Sequence, residues 1–269
     1  MFNKLRVALV PPVLSNWAVQ HSKYATKFRQ VDTWSQAVSG SSGYSDPEII
    51  LRVDSATRLV IAGKAAFERD GFLFTEPDTR WPILAGLLQA HARDGHLRVV
   101  DYGGALGSVY WQHRAHFTGL NIVWGVVEQE SFVQCGKNLP TSEIGFFTDL
   151  DLAVSTIAPN VILFSSVLQY LVDPFALLSK VIQETQAVII IDRTPTSTSP
   201  TNIPVIQRVP AHIYSGSYPA WIISQSELDS RLAPRDSQIV FDGIEPSTRT
   251  DKGLLVNWQG RLAIPARAI

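Results

Sequence analysis

Cysteine is almost missing from this sequence, with Cys135 alone among 269 residues. A single thiol allows no internal disulfide and no cysteine-based metal cluster, which fits a reducing cytoplasm. A basic excess is missing too: 23 Lys and Arg stand against 24 Asp and Glu, a formal net charge of -1. Binding along a phosphate backbone depends on clustered positive charge, so nucleic acid is an unfavourable substrate class. No apolar run is long enough to span a bilayer. The opening "MFNKLRVALVPPVLSNWAV" has a basic start and an apolar patch, but Pro11-Pro12 interrupts it. It reads as a helical arm packed on the body, with a peripheral membrane or partner contact as the alternative. Histidines are scattered; His113 and His116, three apart, could face one way as ligands but have no third ligand nearby, so no metal site is expected.

What is present is enough apolar sequence, 45% of the chain, to bury a large core. Two regimes divide it. Residues 1–95 read as a helical region, carried by "TWSQAV", "SDPEIILRVDSATRLVIAG" and "WPILAGLLQAHARDG", whose apolar positions recur three and four apart. Asp46-Pro47 and Asp78, with Pro82 just inside, mark helix starts, and Gly95 marks a stop. From residue 96 to 269, short Val-, Ile- and Phe-rich runs alternate with helical segments. "LRVVDY", "NIVWGVVE", "IGFFTD", "NVILFSS" and "AVIIID" lack polar alternation, as parallel strands buried on both faces do. The helices between them imply a doubly wound α/β domain. "SQIVFDG" and "GLLVNWQG" would close the sheet as a partly antiparallel edge, and "RTPTSTSPTNIP" reads as a loop.

At the first strand-to-helix junction stands "VVDYGGALGSVYW", where Gly103, Gly104 and Gly107 leave room against the backbone at the ligand crevice of an α/β sheet. A tight turn would also favour glycine, so the loop alone is open to both readings. The nicotinamide fingerprint G-x-G-x-x-G fails, because Ala105 and Ser108 occupy two of its glycine positions. The loop does match D-x-G-x-x-x-G with Asp101 at the strand end, which resembles motif I of class I S-adenosylmethionine (SAM) dependent methyltransferases. That resemblance implies a Rossmann-like, mostly parallel seven-stranded sheet and a cofactor site of Asp101, Tyr102, Gly103, Gly104, Gly107, Glu128, Gln129, Asp149 and Ser165. Glu128 would accept the ribose hydroxyls and Asp149 would contact adenine, while Ser165 and Ser166 would lie near the transferring methyl. Taken with "GYSDPEII", "AAFERDGFLF", "WPILAGL", "VWGVVEQ", "VILFSSVLQYLVDP", "IIIDRTP" and "QRVPAHIYSGSYPAW", the chain is similar to a bacterial methyltransferase family often associated with surface polysaccharide or other glycan gene clusters. The first 30 residues carry little that matches.

The Asn/Asp-Pro-Pro-aromatic sequence of amino methyltransferases is absent at "SSVLQY", which favours a hydroxyl acceptor. The expected acceptor-site insertion spans about 193–223 and holds Arg193, Gln207, Arg208, His212, Tyr214, Tyr218 and Trp221. Such aromatics can stack on a sugar ring while Arg and Gln bind its polar groups, or they can simply fasten the loop down. His212 is the one histidine there, and an imidazole suits proton removal near neutrality, so His212 is the expected base with Arg193 and Tyr218 holding the acceptor; Asp70 or Asp192 is the alternative base. His113 and His116 read as solvated, and "FERD" (Glu68, Arg69, Asp70) reads either as a cap over the crevice or as an internal ion pair. The expectation is a SAM-dependent transfer to a small polar or glycan-linked acceptor. A non-catalytic scaffold of the same fold and, with less support, a nicotinamide oxidoreductase are the alternatives.

Overall fold

A computed structural model describes residues 27–42, 47–208 and 216–266. In chain order these form β1 (Lys27–Gln30), α1 (Trp34–Ser39), α2 (Pro47–Ile61), β2 (Phe67–Arg69), β3 (Phe72–Phe74) and α3 (Trp81–Asp94). Then follow β4 (Leu97–Tyr102), α4 (Ser108–His113), β5 (Ile122–Val127), α5 (Glu130–Lys137), β6 (Ile144–Phe147), α6 (Leu150–Ile157), β7 (Val161–Ser165) and α7 (Pro174–Glu184). The chain ends through β8 (Val188–Ser197), β9 (Ile203–Arg208), β10 (Ser217–Ser224), α8 (Gln225–Leu232), β11 (Ser237–Asp242), β12 (Thr248–Arg249) and β13 (Leu255–Ile264).

The five continuous apolar runs become β4 to β8, and they pair in parallel in the order β6-β5-β4-β7-β8. Their side chains alternate between two cores. Val99, Trp124, Leu163 and Ile190 face one side with α3, while Val100, Ile162, Phe164 and Ile189 face the other with α6 and α7. Both faces are covered, so there is no solvent side to call for polar alternation. β13 runs antiparallel to β8, and β11 antiparallel to β13, which gives the antiparallel edge expected from sequence. Several termini also follow local rules. Asp173 caps α7 by accepting from the Ala176 amide at 2.9 Å, with Pro174 just inside. Gly95 ends α3 at φ 74°.

Three expectations need correction. Among the described residues the sheet has eleven strands, not the seven expected. The addition is β1-β9-β10, an antiparallel array joined to the far end of β8 where Ile223 and Ser224 pair with Thr196 and Ser197, together with the short β12 on β13. "RTPTSTSPTNIP" is therefore no simple loop, because Arg193–Ser197 continue β8 and Ile203 begins β9. Finally, residues 1–95 are not wholly helical: β1 lies at a sheet edge, and β2 and β3 form a separate hairpin. Asp70 and Gly71 turn that hairpin with φ 53° and 77°, and an Asp-Gly pair between short apolar strands is a strong local hairpin signal that helical periodicity obscures. Residues 1–26, and with them most of the proposed helical arm, lie outside the described residues, as does Asp46. Among the described residues no helix is long and apolar enough to cross a membrane.

Candidate active site

The chain runs from β4 outward to β5 and β6, then returns across β4 to β7. This reversal opens a crevice beyond the carboxyl ends of β4 and β7, where open α/β sheets bind ligands. Gly103 follows β4, and Ser165 ends β7. Strain gathers around the same place. Of the five described non-glycine residues with positive φ, Ala105 follows β4, Ser166 follows β7, Arg193 sits on β8, and Asp70 turns the hairpin beside them. Such conformations persist only where the surroundings impose them.

Packing within the protein bears on each glycine of the loop. Gly103 and Gly107 hold φ 71° and 88°, which glycine adopts at least cost. The space above each is filled from within the protein. A Cβ at Gly103 would strike Val167, one at Gly107 would strike Ile144, and one at Gly104 would lie 2.5 Å from the carboxyl of Asp101. Asp101 is fully buried beneath the loop, and neither of its oxygens finds a hydrogen-bond partner. Burial pushes its carboxyl up to about 7, and the charge of Glu128 adds to the rise. Asp101 thus supports the loop from below.

The other cofactor-side residues lie along the same edge. Glu128 follows β5, half-buried, and its Oε2 accepts from the Gln129 amide at 2.7 Å. Burial raises its pKa, opposed by hydrogen bonds from the backbone of Gln129 and Ala105, so the carboxylate reaches back to the glycine loop. Gln129 is the exposed N-cap of α5. Asp149 is exposed after β6, where its Oδ1 caps α6 by accepting from Leu152 N at 2.8 Å. Tyr102 packs its ring against Phe164, with centroids 5.8 Å apart.

On the other side of the crevice is a polar cavity, walled by Glu68 and Arg69 of β2, Arg80 ahead of α3, Ser108 of α4, Ser165, and Asp192 and Arg193 of β8. Glu68 is 1% exposed; it accepts from Ser108 Oγ and, at 3.0 Å, from the Gly71 amide. Burial pushes its carboxyl up to about 7, against the pull of those two hydrogen bonds. Arg80 grips buried Asp192 in a fork, with Nη2–Oδ1 at 2.7 Å and Nε–Oδ2 at 3.1 Å. Its backbone N–H donates at 3.1 Å to Nε2 of His113, whose Nδ1 lies 2.8 Å from the Val109 carbonyl. One ring nitrogen must accept while the other donates, so His113 is neutral, and burial lowers its pKa in the same sense. The expectation that His113 is solvated is therefore overturned, because the turn before α3 docks on it; His116 is exposed and pairs with Thr79 Oγ1 at 3.0 Å. Arg193 Nε meets Glu245 Oε1 at 2.5 Å, with Asp70 at 3.7 Å.

Of the expected acceptor residues, the fold brings Arg193 to this cavity and leaves Tyr218 out of its walls. Tyr218 is 1% exposed, and its ring meets Tyr170 edge-on at 6.1 Å. Trp221 stacks on Trp34 at 4.9 Å and donates to the Leu171 carbonyl, so it fastens β10 to its neighbours. His212 and Tyr214 lie outside the described residues. Arg80 has no role in the acceptor reading from sequence, Asp192 enters it only as an alternative base beside Asp70, and Glu68 only as part of a cap or ion pair. Among the described residues, no group of three or more His, Cys, Asp or Glu could hold a metal ion.

No protein-family model matches this chain, and no curated protein does. Similar solved structures include the N-terminal domain of EvdMO1 with SAH and D-fucose, at 17% identity and TM-score 0.47, covering 82% of this chain and 98% of that one. The Burkholderia thailandensis 1,6-didemethyltoxoflavin-N1-methyltransferase, bound to 1,6-didemethyltoxoflavin and S-adenosylhomocysteine, shows 15% identity and TM-score 0.38 over 88% of this chain and 95% of that one. Human N-acetylserotonin methyltransferase with SAM shows 11% identity and TM-score 0.43 over 68% of this chain and 51% of that one. At TM-scores below 0.5 these likenesses decide nothing about the chemistry of this chain.

Proposed function

We propose that this protein is a SAM-dependent methyltransferase acting on the hydroxyl of a small polar or glycan-linked acceptor. One observation carries the reading: the crevice between β4 and β7 has a glycine loop and strand-end acids on one side and a buried polar cavity on the other. The residues on the first side fit a nucleoside. Glu128 is half-exposed at the end of β5, and its two carboxylate oxygens suit a ribose diol. Asp149 stands exposed at the next strand end. Bound SAM would supply an electrophilic methyl carried on a sulfonium.

The chain's own residues would then bind the acceptor, exclude water and remove a proton. Glu68 is the group placed for that last step, since a buried carboxyl with pKa near 7 can take a hydroxyl proton at neutral pH. Ser108 and the Gly71 amide hold it in position. The Arg80–Asp192 fork fixes the floor of the cavity, and Arg193, tied to Glu245, fixes its wall. The test is calorimetric titration with SAH, followed by transfer of labelled methyl to an acceptor panel. SAH at 100-fold over its dissociation constant should stabilise the fold by about 2.7 kcal/mol. Glu128→Ala should weaken SAH about tenfold or more by removing charge-assisted hydrogen bonds. Absence of SAM and SAH binding to the wild-type chain would refute the reading.

A further inference from the structure

We propose that the cavity beneath the β2–β3 hairpin receives an anionic group, a carboxylate or phosphate of the acceptor, on the guanidinium of Arg69. The inference rests on the methyltransferase reading and adds the chemical class of its substrate. Three arginines line the cavity, and two of them are neutralised there: Arg80 by Asp192 at 2.7 Å and Arg193 by Glu245 at 2.5 Å. Arg69 is the exception. Among the described residues no carboxylate lies within ion-pair distance of it; its guanidinium rests instead against the paired rings of Phe67 and Phe74, 5.5 and 5.6 Å from their centroids.

The surroundings of Arg69 disfavour its charge. Burial is the larger cause and the positive charge of Arg193 is the next, while Glu245, Asp70 and Asp78 act the other way without pairing with it. Ring faces attract a cation, yet they leave the N–H donors of the guanidinium without acceptors. Glu68, next in the chain, does not supply one, since its oxygens serve Ser108 and the Gly71 amide. A half-buried fork of donors, oriented by two rings and facing a second arginine, is complementary to a planar carboxylate or a phosphate. A neutral hydroxyl alone would leave the guanidinium without a direct ion-pair partner.

The same chemistry could come from the carboxylate of the cofactor, so the experiment separates the two sources. Inorganic phosphate, at constant ionic strength, is titrated into the protein with and without saturating SAH, and melting temperature is followed. Phosphate should stabilise the wild type in both states, its midpoint should rise about tenfold in Arg69→Gln, the scale of one lost charge-assisted interaction, and SAH affinity in that variant should stay within about threefold. Nitrogen-15 spectra of the arginine side chains keep the test independent of any variant's folding: phosphate should move the Nε resonance of Arg69 more than those of Arg80 and Arg193. Equal stabilisation of Arg69→Gln, or movement confined to Arg80 and Arg193, overturns the proposal. Loss of phosphate binding once SAH is present, together with weakened SAH binding to Arg69→Gln, also overturns it, because the anion is then the cofactor's own. If SAH fails to bind the wild type, the methyltransferase reading falls, while an Arg69-dependent phosphate midpoint in the SAH-free protein still supports the anion site.

Discussion

At Gly104 the missing side chain makes room for the carboxyl of Asp101. The backbone there is outside the left-handed region, so alanine is sterically allowed by its own torsions; the obstacle is the Asp101 carboxyl, 2.5 Å from where a methyl group would sit. Gly104→Ala should therefore destabilise the protein by about 1–3 kcal/mol, the usual cost of overpacking. Combined with Asp101→Ala, most of that loss should be recovered. Denaturant unfolding of the two single variants and the double variant checks this as a cycle. Additive losses would show that the loop needs its glycine for another reason.

Among elements, the β2–β3 hairpin matters most, because it carries both Glu68 and Arg69 into the cavity. Its own two short strands supply little stability. It is held by the Glu68–Ser108 contact, by Arg52 of α2 over the Phe72 ring at 5.6 Å, and by its two-residue turn. Gly71 at φ 77° belongs to that turn, and a methyl group there would come within 2.6 Å of Arg52 Cγ. Left-handed backbone costs an L-residue roughly 1–2 kcal/mol. Gly71→Ala should thus speed amide exchange across residues 67–74 by about tenfold, lower turnover, and leave SAH affinity nearly unchanged, as hydrogen-exchange mass spectrometry and calorimetry can determine. Unaltered exchange in that segment would mean that docking, and not the turn, holds the hairpin.

For the molecule as a whole, the two buried carboxyls predict how stability changes with pH. Asp101 and Glu68 both titrate near 7 in the folded state, against ordinary values of 3.8 and 4.5. The folded protein therefore holds these protons more tightly than the unfolded chain does. Their contribution is fully present below about pH 4 and is lost as pH rises through 7, by on the order of 3–4 kcal/mol for each group. Unfolding free energies at pH 5 and pH 8 should differ less in Asp101→Asn and Glu68→Gln than in the wild type. Parallel pH profiles for all three proteins would show that neither acid is protonated in the fold.

Short-range information in the sequence was enough for β4 to β8, the cap at Asp173-Pro174 and the stop at Gly95, because apolar runs, capping geometry and glycine torsions act within a few residues. It also marked the crevice, since the strand ends carrying Gly103, Glu128, Asp149 and Ser165 follow from strand order in a doubly wound sheet. Tertiary structure alone decided what fills the space over each glycine, that His113 is buried, and that β1, β9 and β10 extend the sheet. It also built the cavity, whose floor is an ion pair between Arg80 and Asp192, 112 residues apart in the chain. Periodicity specifies which face of an element is apolar; it does not specify which distant element will cover that face. Polar side chains such as Glu68, Arg69 and Asp192 acquire their partners, and their altered proton affinities, only once the hairpin and the sheet have met.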